Sequence, residues 1–290
     1  MRLLLHASTT LQLSAALPTG AGSVIFHGAQ GLGKYTTALE LGRKRNCAKT
    51  AAEDCDCHSC HEWRAGNFPD LITIAPTDKA SIGVEAIRSL TQRLSLAPYY
   101  EHGSRIVIIN QAEALTAAAQ NALLKLIEEP PSRTNVILVT TSIEHFLPTV
   151  RSRCRNVFFP ALSIAQVKKY LIEQEGIESL LASDLAELSG GAIGTALQLY
   201  TDPALFDQRS KLSGRIEKMI NASLFERLII AKELAEQKDS TAVIIELLHY
   251  EIKINAQSSQ LLGLERLRSQ LNSNVSPRAA YERFALELVQ

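Results

Sequence analysis

The sequence predicts an α/β domain built on a parallel sheet, followed by smaller all-helical domains. Three observations carry that prediction. Short apolar runs alternate with helical patterns through the first half, a glycine-rich loop joins the first run to the first helix, and strand signals stop after Pro160. The division that follows is residues 1–160 for the α/β domain, 161–202 for a small helical domain and 203–290 for a C-terminal helical domain.

Taken in order, Ser23 to His27, Leu71 to Ala75, Arg105 to Asn110, Asn135 to Thr141 and Asn156 to Phe159 read as strands, because each is a short apolar run. Helical patterns lie between them near 34–45, 84–95 and 116–128, which requires crossovers and hence parallel strands covered on both faces. Ligands in such sheets bind at the carboxyl ends of the strands, where the loop at Gly28 and residues Asn110, Gln111, Thr141 and Ser142 converge. Past Pro160, one helical group runs from about Ser163 to Tyr200, with Ser189-Gly190-Gly191 as a turn, and a second begins near Pro203. Segments such as Phe225 to Leu234 and Ala242 to Ile252 have broad apolar faces at helical spacing, suited to a bundle core or to burial against neighbouring subunits.

Composition excludes several classes. With 46% apolar and 21% charged residues the chain is an ordinary globular protein, and its 30 basic residues balance its 30 acidic ones. A stand-alone DNA binder is disfavoured by that balance, since any DNA contact must come from a local patch or from partner chains. The opening Met-Arg-Leu-Leu-Leu-His faintly suggests a leader, but His6, Ser8, Thr9, Thr10 and Gln12 interrupt its apolar stretch. A cytoplasmic address is the expectation.

Four of the five cysteines, Cys47, Cys55, Cys57 and Cys60, fall within fourteen residues, with seven, one and two residues between them. Four thiolates satisfy tetrahedral zinc, and the intervening loop has too few apolar residues for a core of its own, so the spacing predicts a structural zinc module over 47–60. His58 and His61 are substitute ligands, and four reduced free thiols are the alternative. Cys154 is expected to be a packed small residue.

Residues 28 to 36, Gly-Ala-Gln-Gly-Leu-Gly-Lys-Tyr-Thr, fit a phosphate-binding loop: Gly28, Gly31 and Gly33 let backbone N–H groups converge on an anion, and Lys34 supplies charge at a helix N-terminus. Tyr35 stands where the pattern asks for the hydroxyl that binds magnesium, with Thr36 one residue further on. Metal binding is impaired there, and occupancy by ATP or ADP is left open. A glycine-rich turn that binds nothing is the competing interpretation. The strand that should present acidic partners ends instead in the neutral amides Asn110 and Gln111. Neither can act as a base, and a neutral ligand holds magnesium weakly. Glu113 keeps a carboxylate two residues on, on a different face of the emerging loop.

The run Gln120-Asn-Ala-Leu-Leu-Lys-Leu-Ile-Glu-Glu-Pro-Pro131, followed by Ile137-Leu-Val-Thr-Thr-Ser142 and then Ser152-Arg153-Cys154, resembles the clamp-loader branch of the AAA+ family. The cysteine cluster, Asn67-Phe-Pro-Asp-Leu71, Glu85 to Leu90, and Leu271 to Arg278 with Glu282 downstream are similar to bacterial members of that branch, so the likeness spans nearly the whole chain. The resemblance implies a AAA+ P-loop domain, a helical lid over 161–202 and an oligomerising collar over 203–290. It puts the family's magnesium-binding Asp and catalytic Glu on Asn110 and Gln111, its sensor on Thr141 or Ser142, and its lid arginine near Ile193-Gly194, where no Arg stands between Ser189 and Tyr200. It also makes Arg153 a finger acting in trans, inserted into a neighbour's ATP site; on spacing alone Arg153 reads as a surface arginine in a basic run with Arg151 and Arg155.

The function so implied is a clamp-loader subunit without autonomous catalysis, within a DNA-directed DNA polymerase (nucleotidyltransferase) assembly. Its partners would be gamma/tau-like ATPase and delta-like subunits in a hetero-pentamer, acting on a sliding clamp and primed DNA. The alternatives are a divergent gamma/tau-type ATPase and a zinc-dependent nucleic-acid-binding relic of the fold. Two departures from the family stand out: the chain before the first strand is short, and Asn67-Phe-Pro-Asp replaces a His-Pro-Asp context, a change expected to affect packing only.

Overall fold

The computed structural model describes residues 20–288 apart from 50, 51, 53, 78–80, 101, 102, 237–243, 245–257 and 272–274. The N-terminal leader-like stretch, all of the apolar pattern at 242–252 except Ile244, and residues 272–274 of the C-terminal motif lie outside the described residues. The chain divides into two compact units, residues 1–166 with 192–195, and residues 167–191 with 196–290.

The first unit is a five-stranded parallel sheet, β1 (Gly22–His27), β2 (Leu71–Ile74), β3 (Arg105–Ile109), β4 (Thr134–Thr140) and β5 (Arg155–Phe158), in the order β2-β3-β4-β1-β5. Each strand forms within one residue of its expected place. Asn110 and Thr141 fall just beyond the strand ends; after Asn110, Gln111 takes a left-handed φ of 52° and turns the chain out of the sheet. β1, β3 and β4 are buried on both faces, so alternate residues feed two cores. Ile25, Val107, Ile109, Val136 and Leu138 pack on α3 (Val84–Leu94) and α4 (Ala117–Glu128) through Ile87, Leu90 and Leu123. Val24, Phe26, Ile106, Ile108 and Val139 pack on α1 (Lys34–Arg45) and α2 (His58–Arg64) through Ala38 and Trp63.

Local chemistry fixes the elements that carry candidate residues. Thr116 caps α4 by accepting from the Ala119 N–H at 3.2 Å, and Pro130-Pro131 follow the helix directly. Within α4 the buried Gln120 amide donates to the Leu115 and His145 carbonyls and accepts from the Leu147 N–H at 2.8 Å. The bonds to His145 and Leu147 fasten α4 to the turn that enters α5 (Pro148–Arg151). At the other sheet edge the buried Asp70 accepts from the N–H groups of Tyr99 and Tyr100, and Phe68 is stacked between Trp63 and Tyr100, with centroids 4.9 and 5.2 Å away. The phenylalanine of the variant Asn67-Phe-Pro-Asp segment is thus a core residue.

The second unit is helical: α6 (Ile164–Glu173, most of it here), α7 (Ser179–Leu188), α8 (Ile193–Thr201, from Ala196), α9 (Pro203–Asn221), α10 (Leu224–Glu236), α11 (Ser258–Leu271) and α12 (Pro277–Glu287). Leu212, Ile216 and Met219 of α9 meet Leu234, Leu264, Leu267, Tyr281 and Phe284 in one core. Phe225 and Leu224 at the start of α10 are exposed. Among the described residues, no helix is long and apolar enough to cross a membrane.

Candidate functional site

β1 delivers the chain into the phosphate loop, and the three glycines of the pattern all have positive φ, 142° at Gly28, 77° at Gly31 and 76° at Gly33. At Gly28 any side chain would collide with the Phe159 carbonyl, and at Gly31 with the Thr195 hydroxyl. Gly33 precedes the first turn of α1. All three positions thus take backbone conformations that L side chains rarely adopt.

Its cation is turned inward. Lys34 is 7% exposed, and its ammonium donates to the carbonyls of Gly28 at 2.6 Å and Ala29 at 2.5 Å. Burial pulls its pKa down to about 8, and the Glu113 carboxylate opposes that shift, so the Glu113 charge reaches the Lys34 ammonium. The Glu113 Oε2 atom is buried and has no hydrogen-bond partner among the described residues. Gln111, by contrast, is exposed, and Asn110 is half-buried with its N–H on the Ile74 carbonyl at 2.8 Å. The nearby hydroxyls have local tasks. Thr37 donates to the Gly33 carbonyl at 2.7 Å, and Ser142 accepts from the Glu144 N–H at 3.3 Å. Tyr35 and Thr36 are both half-buried, and the Tyr35 ring packs on the sheet core. Thr141 gives the Gly28 N–H a carbonyl acceptor at 3.3 Å. In the Ile193-Gly194 stretch, near which the resemblance puts a lid arginine, Gly194 donates its N–H to the Gly31 carbonyl at 2.8 Å. A Cβ at Gly194 would lie 2.9 Å from that oxygen, which is the physical reason for glycine there.

The Ser152-Arg153-Cys154 segment is arranged the opposite way. Cys154 is buried in the core, and burial pushes its thiol up to about 12, as a packing residue requires. Arg153 lies on the surface with 36% of its side chain exposed; its Nε donates to Glu128 at 3.0 Å and its Nη1 to the Thr149 carbonyl at 3.2 Å. Arg151 pairs with Glu144 at 2.8 Å, and Arg155 is exposed on β5.

The four clustered cysteines converge. The sulfurs of Cys47, Cys55, Cys57 and Cys60 all lie within 4.8 Å of one another, with 3.5 Å from Cys47 to Cys55 and 3.9 Å from Cys47 to Cys57. A tetrahedral zinc with Zn–S bonds of ~2.3 Å sets its sulfurs roughly 3.8 Å apart, so the donor set fits that metal. Cys57 sits at the start of α2, where the N–H groups of Cys60 and Ala48 hold its thiol down to about 6. His58 and His61 are exposed, and His58 faces Glu62 at 3.2 Å; neither belongs to the assembled group.

Sequence reasoning missed two residues here. One is Glu113 as the charge acting on Lys34. The other is Arg43, buried in the last turn of α1 with its Nη1 3.1 Å from the Cys60 sulfur. A signal existed for the second: Glu40 and Arg43 are three apart on a helix that ends two residues before Cys47.

The model of the family described as "DNA polymerase III, delta subunit" matches residues 6–163, more than half of the chain. The delta' subunit of DNA polymerase III from Yersinia pestis is 34% identical over 229 residues, covering 73% of this chain and 65% of the relative. The delta' subunit from Bacillus subtilis (strain 168) is 32% identical over 189 residues, covering 65% and 56%. The gamma/tau subunit from Mycobacterium bovis is 38% identical over 176 residues, covering 58% of this chain and 30% of the relative. The matched stretches thus span less than two thirds of these relatives' own length. A sheet carrying a phosphate loop, a clustered set of four cysteines and a surface Ser-Arg-Cys turn agrees with that match, and the chain belongs to the delta-prime clamp-loader family of DNA polymerase III.

Proposed function

We propose that this chain is a clamp-loader subunit that hydrolyses no ATP itself and lends Arg153 to the ATP site of an adjacent gamma/tau-like subunit. The observation that carries the reading is the exposure of Arg153 on a turn whose two ends are anchored, by Cys154 in the core and by Gln120 at the entry to α5. A guanidinium so presented offsets the negative charge that develops on a transferring phosphoryl group, and it does so without chemistry in its own chain. The chain's own loop lacks what hydrolysis needs: Asn110 and Gln111 offer no carboxylate, and Lys34 is occupied by Gly28 and Ala29.

In the same reading the helical segment 161–202 is the lid and 203–290 the collar that holds a hetero-pentamer with gamma/tau-like and delta-like subunits. Exposed Leu224 and Phe225 are apolar surface suited to that assembly. The complex would open a sliding clamp and place it on primed DNA. Cys47, Cys55, Cys57 and Cys60 would hold zinc, which with four protein ligands keeps no open position and so serves to cross-link the loop between α1 and α2. The test is reconstitution with the partner subunits: Arg153→Ala leaves the complex assembled and lowers its DNA-stimulated ATPase, and unchanged turnover rejects the finger role.

A second reading, a divergent gamma/tau-type ATPase, is favoured by the 38% identity to a gamma/tau subunit and by the Glu113 charge facing Lys34. It requires magnesium-dependent turnover by the isolated chain that Lys34→Ala abolishes.

A further inference from the structure

The cysteine cluster has a buried cation against it. Arg43 is 4% exposed, in the last turn of the helix that begins at the phosphate loop. Its Nε and Nη2 clamp the Glu40 carboxylate at 2.8 and 2.7 Å, and this fixes the plane of the guanidinium. The remaining terminal nitrogen, Nη1, then donates to Cys60 Sγ at 3.1 Å, and Cys60 is itself fully buried. The approach of the two helices that makes this possible depends on Gly42: a Cβ there would meet the Trp63 ring of α2 at 2.5 Å.

Four thiolates around one divalent cation leave about two excess negative charges, and a buried anion is costly unless donors face it. The Arg43–Glu40 pair is neutral as a whole but presents its positive end to the sulfur. An N–H bond to a thiolate withdraws electron density from it and directs its lone pairs, as partners of metal ligands do. Lysine cannot reproduce this, because one ammonium lacks the planar fork that grips Glu40 and reaches Cys60 together.

We propose that Arg43, oriented by Glu40, is the positioning residue of the cysteine centre: it donates to Cys60 Sγ, holds that sulfur as a metal ligand and fastens the centre to the phosphate-loop helix. The inference rests on the reading of the cluster as a zinc site. Both are tested on the purified full-length chain by metal analysis, by the rate at which excess chelator extracts zinc, and by the thiolate-to-metal absorption band after cobalt(II) substitution. Arg43→Met is expected to retain one zinc per chain, to lose it to chelator about tenfold or more faster, and to shift the cobalt band to lower energy. That band shift would not follow from a merely structural role. Glu40→Gln and Arg43→Lys should fall between wild type and Arg43→Met on both readouts. Wild-type extraction rate and band position in Arg43→Met overturn the proposal while leaving the zinc site standing. Should Arg43→Met fail to fold, wild-type behaviour of both Glu40→Gln and Arg43→Lys overturns it equally. Wild-type protein without stoichiometric zinc or a cobalt–thiolate band overturns the zinc reading itself.

Discussion

Lys34 and Arg153 are cations in one α/β unit, the first on the glycine-rich loop after β1 and the second on the turn after α5, and their surroundings are reversed. Lys34 is buried and its ammonium is used on two carbonyls of its own loop; Arg153 is on the surface, tied to a glutamate and a carbonyl that a stronger anion can outcompete. The difference teaches that retaining a charged residue says little about its use. What decides is whether its donors are aimed at the chain's own backbone or at solvent.

The largest expected effect is on the outward member. Arg153→Ala in the reconstituted complex should lower DNA-stimulated ATP turnover about a thousandfold, the scale of a finger arginine, with assembly unchanged by size exclusion. A drop within about tenfold would make the two cations alike in silence.

The inward member should announce itself through pH. Because the folded pKa of Lys34 is about 8 against an ordinary 10.5, the native state binds fewer protons than the unfolded chain between those values, and stability rises with pH across that window. Below pH 8 the cost of charging the buried amine is fully present, roughly 3 kcal/mol from the size of the shift. Lys34→Met lacks this term. The difference in urea-derived stability between wild type and Lys34→Met should therefore change over pH 8 to 10.5 in favour of wild type, and a flat difference would place the ammonium in water.

Gly31→Ala sharpens the same contrast by prying at the loop. Its φ of 77° and the collision with Thr195 should together cost about 1–3 kcal/mol in chemical denaturation. Gly33→Ala has a similar φ but open space around it, and should cost less. Equal losses would mean that Thr195 yields freely. The smallest effect belongs to Glu128→Gln. Its pair with Arg153 is exposed on both sides, so stability should move by less than about 1 kcal/mol. ATPase of the complex should then change by no more than about fivefold.

Much of this was legible in residue order. The five strands are apolar runs bounded by turn chemistry, and the cysteine spacing alone points to the four-sulfur cluster. What stayed hidden were contacts across the chain. Arg43 sits in Gly42-Arg-Lys-Arg45, where residue order does not distinguish the arginine that is buried against Cys60 beside the Gly42–Trp63 approach. Gln120 stands in the run that carries the family resemblance, but its bonds to His145 and Leu147 join residues that local pattern does not relate. Residue order puts Glu113 on a different face of the emerging loop, and the left-handed Gln111 gives that loop a path that periodicity cannot anticipate. Ala192 to Thr195 fall in a helical stretch by composition, yet they group with the sheet domain because Gly194 binds the loop at Gly31.

The Gln120 amide has one more implication. By joining α4 to the turn before α5, it leaves the segment that ends in Arg153 with few alternative conformations in the free protein. Under the proposed docking on another subunit, conformational entropy usually forfeited on association is thereby lost already during folding. If Arg153 acts as proposed above, such a mount favours fast, repeated engagement over tight capture.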